Sequence, residues 1–135
     1  MTTVLFACVH NAGRSQMAAA LFNLEADPAK ARAISAGTRP GDHVHPEVLE
    51  AMRELGVDLA GVRPQRLTDE LAREARVLIT MGCGDDCPVV PGALRDDWPL
   101  EDPKGQPIAR VREIREDVRA RVRELVRRSG WASQP

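Results

Sequence analysis

The sequence predicts an α/β fold with a mainly parallel sheet, because short apolar segments alternate along the chain with segments of helical pattern. The apolar segments that are typical of buried strands are TTVLFACV, ARAISAG and ARVLITMG. No internal repeat, low-complexity tract or linker interrupts the 135 residues, and this length suffices for one hydrophobic core. We therefore expect one continuous domain over residues 1–135.

Each of the first two predicted strands is followed by a segment with the sequence pattern of a helix. The segment SQMAAALFNLEA contains many strong helix formers and ends before Pro28, since a proline disfavours helical backbone in the residue that precedes it. The segment PEVLEAMRELG begins with Pro46 at a first helical position and ends at Gly56, which is the usual asymmetry of helix ends.

Two more helices are predicted in the second half of the chain. The segment TDELAREA has Thr68 as a capping residue and acidic residues in its first turn. After a long irregular stretch, PIARVREIREDVRARVRELVRRSG is predicted as an amphipathic helix that ends at Gly130. Its apolar positions recur every three or four residues: Ile108, Val111, Ile114, Val118, Val122 and Leu125.

Composition argues against several classes of partner. The net charge is −1, the pI is near 6.3 and the aromatic content is 3%, which disfavours nucleic-acid binding through a basic or base-stacking surface. Eight arginines lie between Arg110 and Arg128, but four acidic residues interleave with them, so a solvated face of ion pairs is expected. The amino-terminal run VLFACV is too short for a membrane span or a signal sequence, so we expect a cytoplasmic protein with reduced thiols.

The segment CVHNAGRS, residues 8–15, contains a cysteine with an arginine six positions later, a spacing that is weak evidence in a chain with 17 arginines. Its position between a strand and a helix is more informative, because the backbone N–H groups of such a loop can surround an anion at the positive helix end. Arg14 would add a planar fork for a tetrahedral oxyanion, and Ser15 would either donate to a Cys8 thiolate or cap the helix. The predicted oxyanion-binding residues are Val9, His10, Asn11, Ala12, Gly13, Arg14 and Ser15.

The other two cysteines, Cys83 and Cys87, follow the third predicted strand in a segment rich in glycine, proline and aspartate. Three interpretations stay open. The two thiols could be buried packing groups, although the flanking residues indicate an exposed loop. They could bind zinc with His43 and His45, although the spacing is a loose match and solvated turn positions are a simpler account of these histidines. They could also form a redox pair that reaches Cys8, because the carboxyl ends of parallel strands lie at one edge of a sheet.

The segment CVHNAGRS resembles the anion loop of the low-molecular-weight tyrosine phosphatase fold, in which Cys-x5-Arg-Ser opens the first helix. RSQMA is similar to the arsenate reductases of this fold, whereas the phosphatases usually carry proline after Arg-Ser. Two positions depart from many relatives, since His10 replaces a glycine and Gly13 replaces a second cysteine. The resemblance covers nearly the whole chain and implies a three-layer sandwich around a central, mainly parallel four-stranded sheet.

This resemblance implies a thioredoxin-coupled arsenate reductase, which converts arsenate to arsenite without a bound cofactor or metal. Cys8 would be the nucleophile, Cys83 would attack its arsenic adduct, and Cys87 would resolve the Cys8–Cys83 disulfide for thioredoxin. The Asp-Pro pair of the family corresponds to Asp102 and Pro103, which makes Asp102 the expected general acid.

Further expectations concern ligands and neighbouring residues. Phosphate or sulfate would mimic arsenate in the loop, weak phosphatase activity could accompany reduction, and we expect a monomer. Asn11 and Ser35 match two ligands of the potassium ion that some relatives bind, but no match exists for the threonine and aspartate ligands, so no ion is predicted. Trp98 is expected to pack the acidic loop against the domain.

Two other functions are compatible with parts of the sequence. A tyrosine phosphatase of this fold would use Cys8, Arg14 and Asp102 without the other thiols. A sensor of zinc or arsenic would bind metal through thiols without turnover, although no recognition helix of helix-turn-helix pattern is found. Within the reductase interpretation, a small thiol such as mycothiol could replace thioredoxin as electron donor.

Overall fold

The computed structural model describes residues 1–82 and 92–133. The elements in chain order are β1 (Thr2–Cys8), α1 (Arg14–Glu25), β2 (Ala31–Gly37), α2 (Pro46–Arg53), α3 (Asp69–Arg73), β3 (Val77–Thr80), β4 (Leu94–Asp97) and α4 (Ile108–Ser129). The four strands form one parallel sheet in the order β2-β1-β3-β4, so the predicted α/β class is confirmed.

β1 is one of the two central strands and divides the core into two parts, because its side chains alternate between the faces of the sheet. On one face Val4, Phe6 and Cys8 join the larger apolar cluster, to which α1, α2 and α4 contribute. On the other face Leu5 and Ala7 join a smaller cluster with a residue of α3. Helices therefore cover both faces of the sheet, as in the expected three-layer sandwich, and Cys8 lies on the side of α1.

The predicted helices are confirmed, with small differences at their ends, since α1 begins and ends one residue earlier than predicted and α3 ends at Arg73 rather than at Ala75. α2 begins at Pro46, and Thr68 caps α3 by accepting a hydrogen bond from the α3 backbone at 3.1 Å. α4 ends at Gly130, whose φ of 74° is the left-handed conformation of a C-cap. α2 ends at Arg53 rather than at Gly56, because the chain leaves the helix through a tighter turn in which Gly56 has a φ of 78°.

The apolar pattern of the sequence does not predict β4, which lies in the stretch expected to be irregular. All four of its side chains are exposed, and LRDD lacks the alternation of a half-buried strand. Backbone hydrogen bonds hold this part of the chain against β3, from Leu94 N to Arg76 O at 2.9 Å and from Trp98 N to Thr80 O at 2.8 Å. Trp98 is 4% exposed and its ring centroid lies 5.4 Å from that of Phe6, so its expected packing role is confirmed.

The arginine-rich face of α4 carries ion pairs, as the charge pattern predicts. Arg112 and Arg115 both bind Glu54 at 2.6 Å, and these hydrogen bonds lower the pKa of Glu54 to about 2. Arg123 binds Glu25 of α1 at 2.9 Å. α4 is therefore linked to α1 and α2 by surface charges as well as by its buried face. No helix among the described residues has the length and apolar character that a membrane crossing needs.

Candidate active site

Cys8 is the last residue of β1 and lies at the carboxyl edge of the sheet, in the strand that precedes α1. Its side chain is 2% exposed. Asn11 N donates to Cys8 Sγ at 3.3 Å, and Ser15 Oγ lies 2.9 Å from Sγ. Of the two roles expected for Ser15, contact with Cys8 is the one observed, since Gly13 is the N-cap of α1. Donors at the sulfur are the groups that would stabilise a thiolate, which is the nucleophilic form of cysteine.

The loop between Cys8 and α1 contains one residue with left-handed backbone. Asn11 has a φ of 50°, and it is the one residue other than glycine with positive φ among those described. Its Oδ1 accepts hydrogen bonds from Gln16 Nε2 at 3.1 Å and from Gln65 N at 3.0 Å. Its Nδ2 donates to Ser15 Oγ at 2.8 Å, and its carbonyl oxygen accepts a further bond from Gln16 Nε2 at 3.1 Å. Asn11 thus links the loop to α1 and to the segment before α3.

Two glycines allow other segments to approach the loop closely. Gly37 ends β2 and is the register partner of Cys8. A Cβ at Gly37 would lie 2.6 Å from a backbone oxygen of the loop and 2.9 Å from Asn11 N. A Cβ at Gly13 would lie 2.7 Å from Pro103 Cγ. A side chain at either position would therefore force the loop or its neighbours to move.

Arg14 is the first residue of α1, and its side chain is 11% exposed. Nη1 donates to Leu100 O at 3.2 Å, and Nη2 lies 3.8 Å from Asp102 Oδ2. The guanidinium also lies against the backbone of Gly82, where a Cβ would come within 2.5 Å of Nη1. In the described part of the chain, these contacts use few of the five N–H donors of Arg14. The remaining donors can bind an oxyanion.

Asp102, the predicted general acid, lies beside Arg14 with a side chain that is 42% exposed. Its Oδ1 accepts a hydrogen bond from Lys104 N at 3.0 Å, which is the local turn contact expected of an aspartate before proline. Its Oδ2 is the carboxylate oxygen that lies 3.8 Å from Arg14 Nη2. Asp102 therefore makes the turn contact and lies beside Arg14, while its role as general acid stays a prediction.

His45 lies closer to the loop than a solvated turn residue would. Its backbone N donates to Ala12 O at 2.9 Å, and its ring Cδ2 would lie 3.4 Å from a Cβ at Gly13. Burial lowers the pKa of His45, while the negative charge of Asp102 opposes this effect. His45 is therefore a half-buried neighbour of the loop, whereas His43 is exposed, as expected.

Cys83 and Cys87 lie outside the described residues, so their predicted roles in a redox pair or a zinc site stay predictions. Within residues 1–82 and 92–133, no cluster of three or more His, Cys, Asp or Glu side chains is arranged to hold a metal ion. Gly82, the last described residue before this segment, contacts Arg14. Gly82, which directly precedes the segment that contains both cysteines, therefore lies beside the anion loop.

Gln65 connects the two positions that match potassium ligands in relatives. Its backbone N donates to Asn11 Oδ1, and its side-chain Nε2 donates to Ser35 O at 2.8 Å. The motif around Cys8 did not indicate Gln65, because it lies 54 positions from Asn11 in the chain. Gln16 was also missed as a site residue, although it directly follows the Arg-Ser pair.

Comparisons with known proteins agree on one family. The chain matches the low molecular weight phosphotyrosine protein phosphatase family over residues 3–130. A relative from Halobacterium salinarum, provisionally named an arsenate reductase, is 40% identical over 127 residues, which cover 89% of this chain and 87% of that protein. The glutaredoxin arsenate reductase of Synechocystis sp. is 34% identical over 93% of this chain and 97% of its own length.

A solved structure is similar over the same region. The thioredoxin-dependent arsenate reductase of Corynebacterium glutamicum has a TM-score of 0.82 and 43% sequence identity to this chain. The match covers 94% of this chain and 61% of that protein, so this chain spans about three-fifths of the length of that relative.

Proposed function

This chain belongs to the low molecular weight phosphotyrosine protein phosphatase family, and we propose that it reduces arsenate to arsenite with electrons from thioredoxin. The observation that carries the proposal is the position of the Cys8 thiol, buried at the amino terminus of α1 with Asn11 N and Ser15 Oγ at its sulfur. A thiolate held in this way beside Arg14 can attack a tetrahedral oxyanion that the loop binds. Similarity to proteins named as arsenate reductases supports arsenate as this oxyanion.

The first step is attack of the Cys8 thiolate on arsenate. Backbone N–H groups of residues 9–15 and the guanidinium of Arg14 hold the oxyanion. An S–As bond forms while an As–O bond breaks, and protonated Asp102 gives its proton to the departing oxygen, which leaves as water. Arsenic stays pentavalent in this adduct.

The second step transfers electrons from sulfur to arsenic. The thiolate of Cys83 attacks Cys8 Sγ, and the electron pair of the breaking S–As bond goes to arsenic, which leaves as trivalent arsenite. Cys87 then attacks Cys83 in the Cys8–Cys83 disulfide, which frees Cys8 and leaves a Cys83–Cys87 disulfide. Thioredoxin reduces this disulfide by the same exchange chemistry.

The surroundings of Cys8 favour a small inorganic oxyanion over an aryl phosphate. The chain has two Trp, two Phe and no Tyr. Phe6, Phe22 and Trp98 are buried in the core, and Trp131 packs on Phe22 with ring centroids 5.8 Å apart. An aromatic substrate would therefore find no free aromatic side chain to stack on.

Hydrolysis of phosphate esters is the second candidate, because Cys8, Arg14 and Asp102 suffice for it. We expect it as a weak side activity, in which water attacks the phosphorylated Cys8. This activity needs no electrons, so a variant that lacks both Cys83 and Cys87 should retain it while losing repeated arsenate reduction.

Thioredoxin is proposed as the donor because the similar protein from Corynebacterium glutamicum is named as thioredoxin-dependent. The Synechocystis relative is named for glutaredoxin, so both donors should be compared directly. A small thiol is less needed by a chain that carries its own resolving pair. We place the enzyme in the cytoplasm, where such donors keep thiols reduced, and propose that it acts as a monomer.

The proposal is tested by measuring arsenite formed from arsenate with thioredoxin, thioredoxin reductase and NADPH. The wild-type protein should turn over repeatedly, and Cys8→Ser should form no arsenite. Arsenite formation by Cys8→Ser at the wild-type rate would refute the assigned nucleophile. Stoichiometric bound metal in the purified protein without any turnover would instead favour a thiol-based sensor.

A further inference from the structure

We propose that Gln16 is a positioning residue that fixes the direction of the hydrogen bonds ending at Cys8. It acts through Asn11 and Ser15 and does not itself touch the substrate. The inference rests on the proposed role of Cys8 as nucleophile, but it does not depend on which oxyanion the loop binds.

Gln16 is buried, and both hydrogen bonds that its side-chain amide donates go to Asn11. It lies in the first turn of α1 and is 4% exposed. Its Nε2 donates to Asn11 O and to Asn11 Oδ1, both at 3.1 Å. A buried amide whose two N–H protons bind a single residue restricts both the backbone and the side chain of that residue.

These bonds decide which way the side-chain amide of Asn11 faces. Oδ1 accepts from two N–H donors, Gln16 Nε2 and Gln65 N, so Nδ2 must lie on the other side. There it donates to Ser15 Oγ at 2.8 Å. Because Ser15 Oγ accepts this bond, its hydroxyl proton is available for Cys8 Sγ, 2.9 Å away.

Reversal of the Asn11 amide would have the opposite effect. Asn11 Oδ1 would then accept the proton of Ser15, and Cys8 would lose its hydroxyl donor. Gln65 contributes only a backbone N–H here, which nearly any residue would supply, so Gln16 is the side chain that specifies the orientation. The bond from Gln16 to Asn11 O also holds the backbone at the φ of 50° from which Asn11 N donates to Cys8.

Asn23 provides a matched control for a purely structural effect. It lies on the same helix and makes two bonds to one residue of β2, from Nδ2 to Ala33 O at 3.1 Å and from Ala33 N to Oδ1 at 2.8 Å. Asn23→Ala should therefore weaken the contact between helix and sheet without changing any bond at Cys8.

The experiment measures alkylation of Cys8 by iodoacetamide across a pH series in wild type, Gln16→Met, Gln16→Glu and Asn23→Ala. Trypsin separates Cys8, in residues 1–14, from the other cysteines, in residues 77–95, so mass spectrometry reports Cys8 alone. Among the described residues, the ionisable groups in and around the loop include His10, Arg14, His45 and Asp102, and they are the same in every variant, while Gln16→Glu alone adds a carboxyl group.

Gln16→Met keeps the volume but removes both donors, so the pH of half-maximal alkylation should rise by about one unit, which slows alkylation about tenfold at pH values well below the wild-type midpoint. Gln16→Glu should shift the profile further, because its carboxylate attracts Asn11 Nδ2 and reverses the amide, and because its negative charge itself disfavours the thiolate. Asn23→Ala should lower the melting temperature but leave the pH profile unchanged.

A wild-type profile for Gln16→Met, or equal profiles for the Met and Glu variants, would overturn the inference, since the side chain would then only fill space. If circular dichroism shows that the variants do not fold, the inference is tested instead by NMR of the wild-type protein. The side-chain N–H protons of Gln16 should exchange slowly with solvent, and their NMR signals should shift when Cys8 is alkylated, while the signals of Asn23 should not shift. Fast exchange at Gln16, or no shift of its signals, would contradict the inference. The expected profiles in a protein without arsenate turnover would sustain this inference and refute the reductase.

Discussion

In the described part of the chain, arginine side chains contact carboxylates in two regions, and the contact at the candidate active site is longer than those that Glu54 makes with α4. On the surface of α4, Arg112 and Arg115 bind Glu54 at 2.6 Å. At the anion loop, Arg14 lies 3.8 Å from Asp102. The α4 arginines use their donors on the protein, and solvent screens the ion pair that Arg112, 46% exposed, forms with Glu54, whereas Arg115 is 11% exposed. Within the described residues, Arg14 makes one hydrogen bond, to Leu100 O, and has further N–H donors that an oxyanion could use, so a close ion pair does not by itself indicate a functional site.

The largest effect is expected from Arg14→Lys. Lysine keeps the charge but loses the planar fork that binds two oxygens of a tetrahedral anion. We expect kcat/KM for arsenate to fall by about 100-fold or more. The control is Arg112→Lys on the surface face, which should retain wild-type kcat/KM; equal losses in the two variants would contradict the comparison.

Asp102→Asn should lower the activity nearly as much as Arg14→Lys does, because the amide cannot protonate the departing oxygen. We expect kcat to fall by about 100-fold. Asp27→Asn is the matched control, since Asp27 also precedes a proline and accepts a turn bond, from Ala29 N at 2.9 Å. If Asp27→Asn slowed the reaction as much as Asp102→Asn, a general effect of replacing an aspartate before proline would explain the loss and the general acid would have to be sought elsewhere.

Gly82→Ala should raise KM for arsenate by about tenfold, because its Cβ would displace the guanidinium of Arg14 and weaken anion binding. The φ of Gly82 is 92°, so alanine is also strained at this position. Gly105→Ala separates the two effects, because Gly105 has a φ of 71° but nothing within 4 Å of its Cβ position. Kinetic measurements should show a raised KM for the Gly82 variant only; an unchanged KM there would mean that the close approach to Arg14 does not matter.

The smallest effect on activity is expected from Glu54→Gln, which removes the ion pairs with Arg112 and Arg115. The folded-state pKa of Glu54 is about 2, below its ordinary value of 4.5. The stabilising effect of its charge is therefore fully present above pH 4.5 and is lost as the pH falls toward 2. Urea unfolding should give a small stability loss for the variant at neutral pH that disappears in acid, with unchanged kcat/KM. A stability difference that stays constant with pH would argue against the ion pairs as its cause.

Local sequence signals predicted the parts of the fold that depend on neighbouring residues. The buried strand that ends at Cys8, the proline start of α2 and the glycine end of α4 could all be predicted because their causes lie within a few residues. β4 could not be predicted in this way. Its stability comes from backbone bonds to β3, and its exposed LRDD sequence has no apolar pattern.

The candidate site also combines contacts between residues that are close in the sequence, which could be predicted, with contacts between distant segments, which could not. The contact of Ser15 with Cys8 follows from the spacing of one motif, and the Asp102 position follows from the family resemblance. The contacts of Gly37 and Gln65 depend on segments that fold back from elsewhere in the chain. Gly37 did carry a signal, since it ends the second predicted strand.

The most direct test of the proposed relay is a single-turnover reaction of Cys87→Ser with arsenate. The variant should form about one arsenite per enzyme and then stop, since no thiol remains to resolve the Cys8–Cys83 disulfide. Mass spectrometry should detect this disulfide as a link between the tryptic peptides of residues 1–14 and 77–95. Continued turnover of Cys87→Ser with thioredoxin at the wild-type rate, without this linked peptide, would contradict the three-cysteine mechanism.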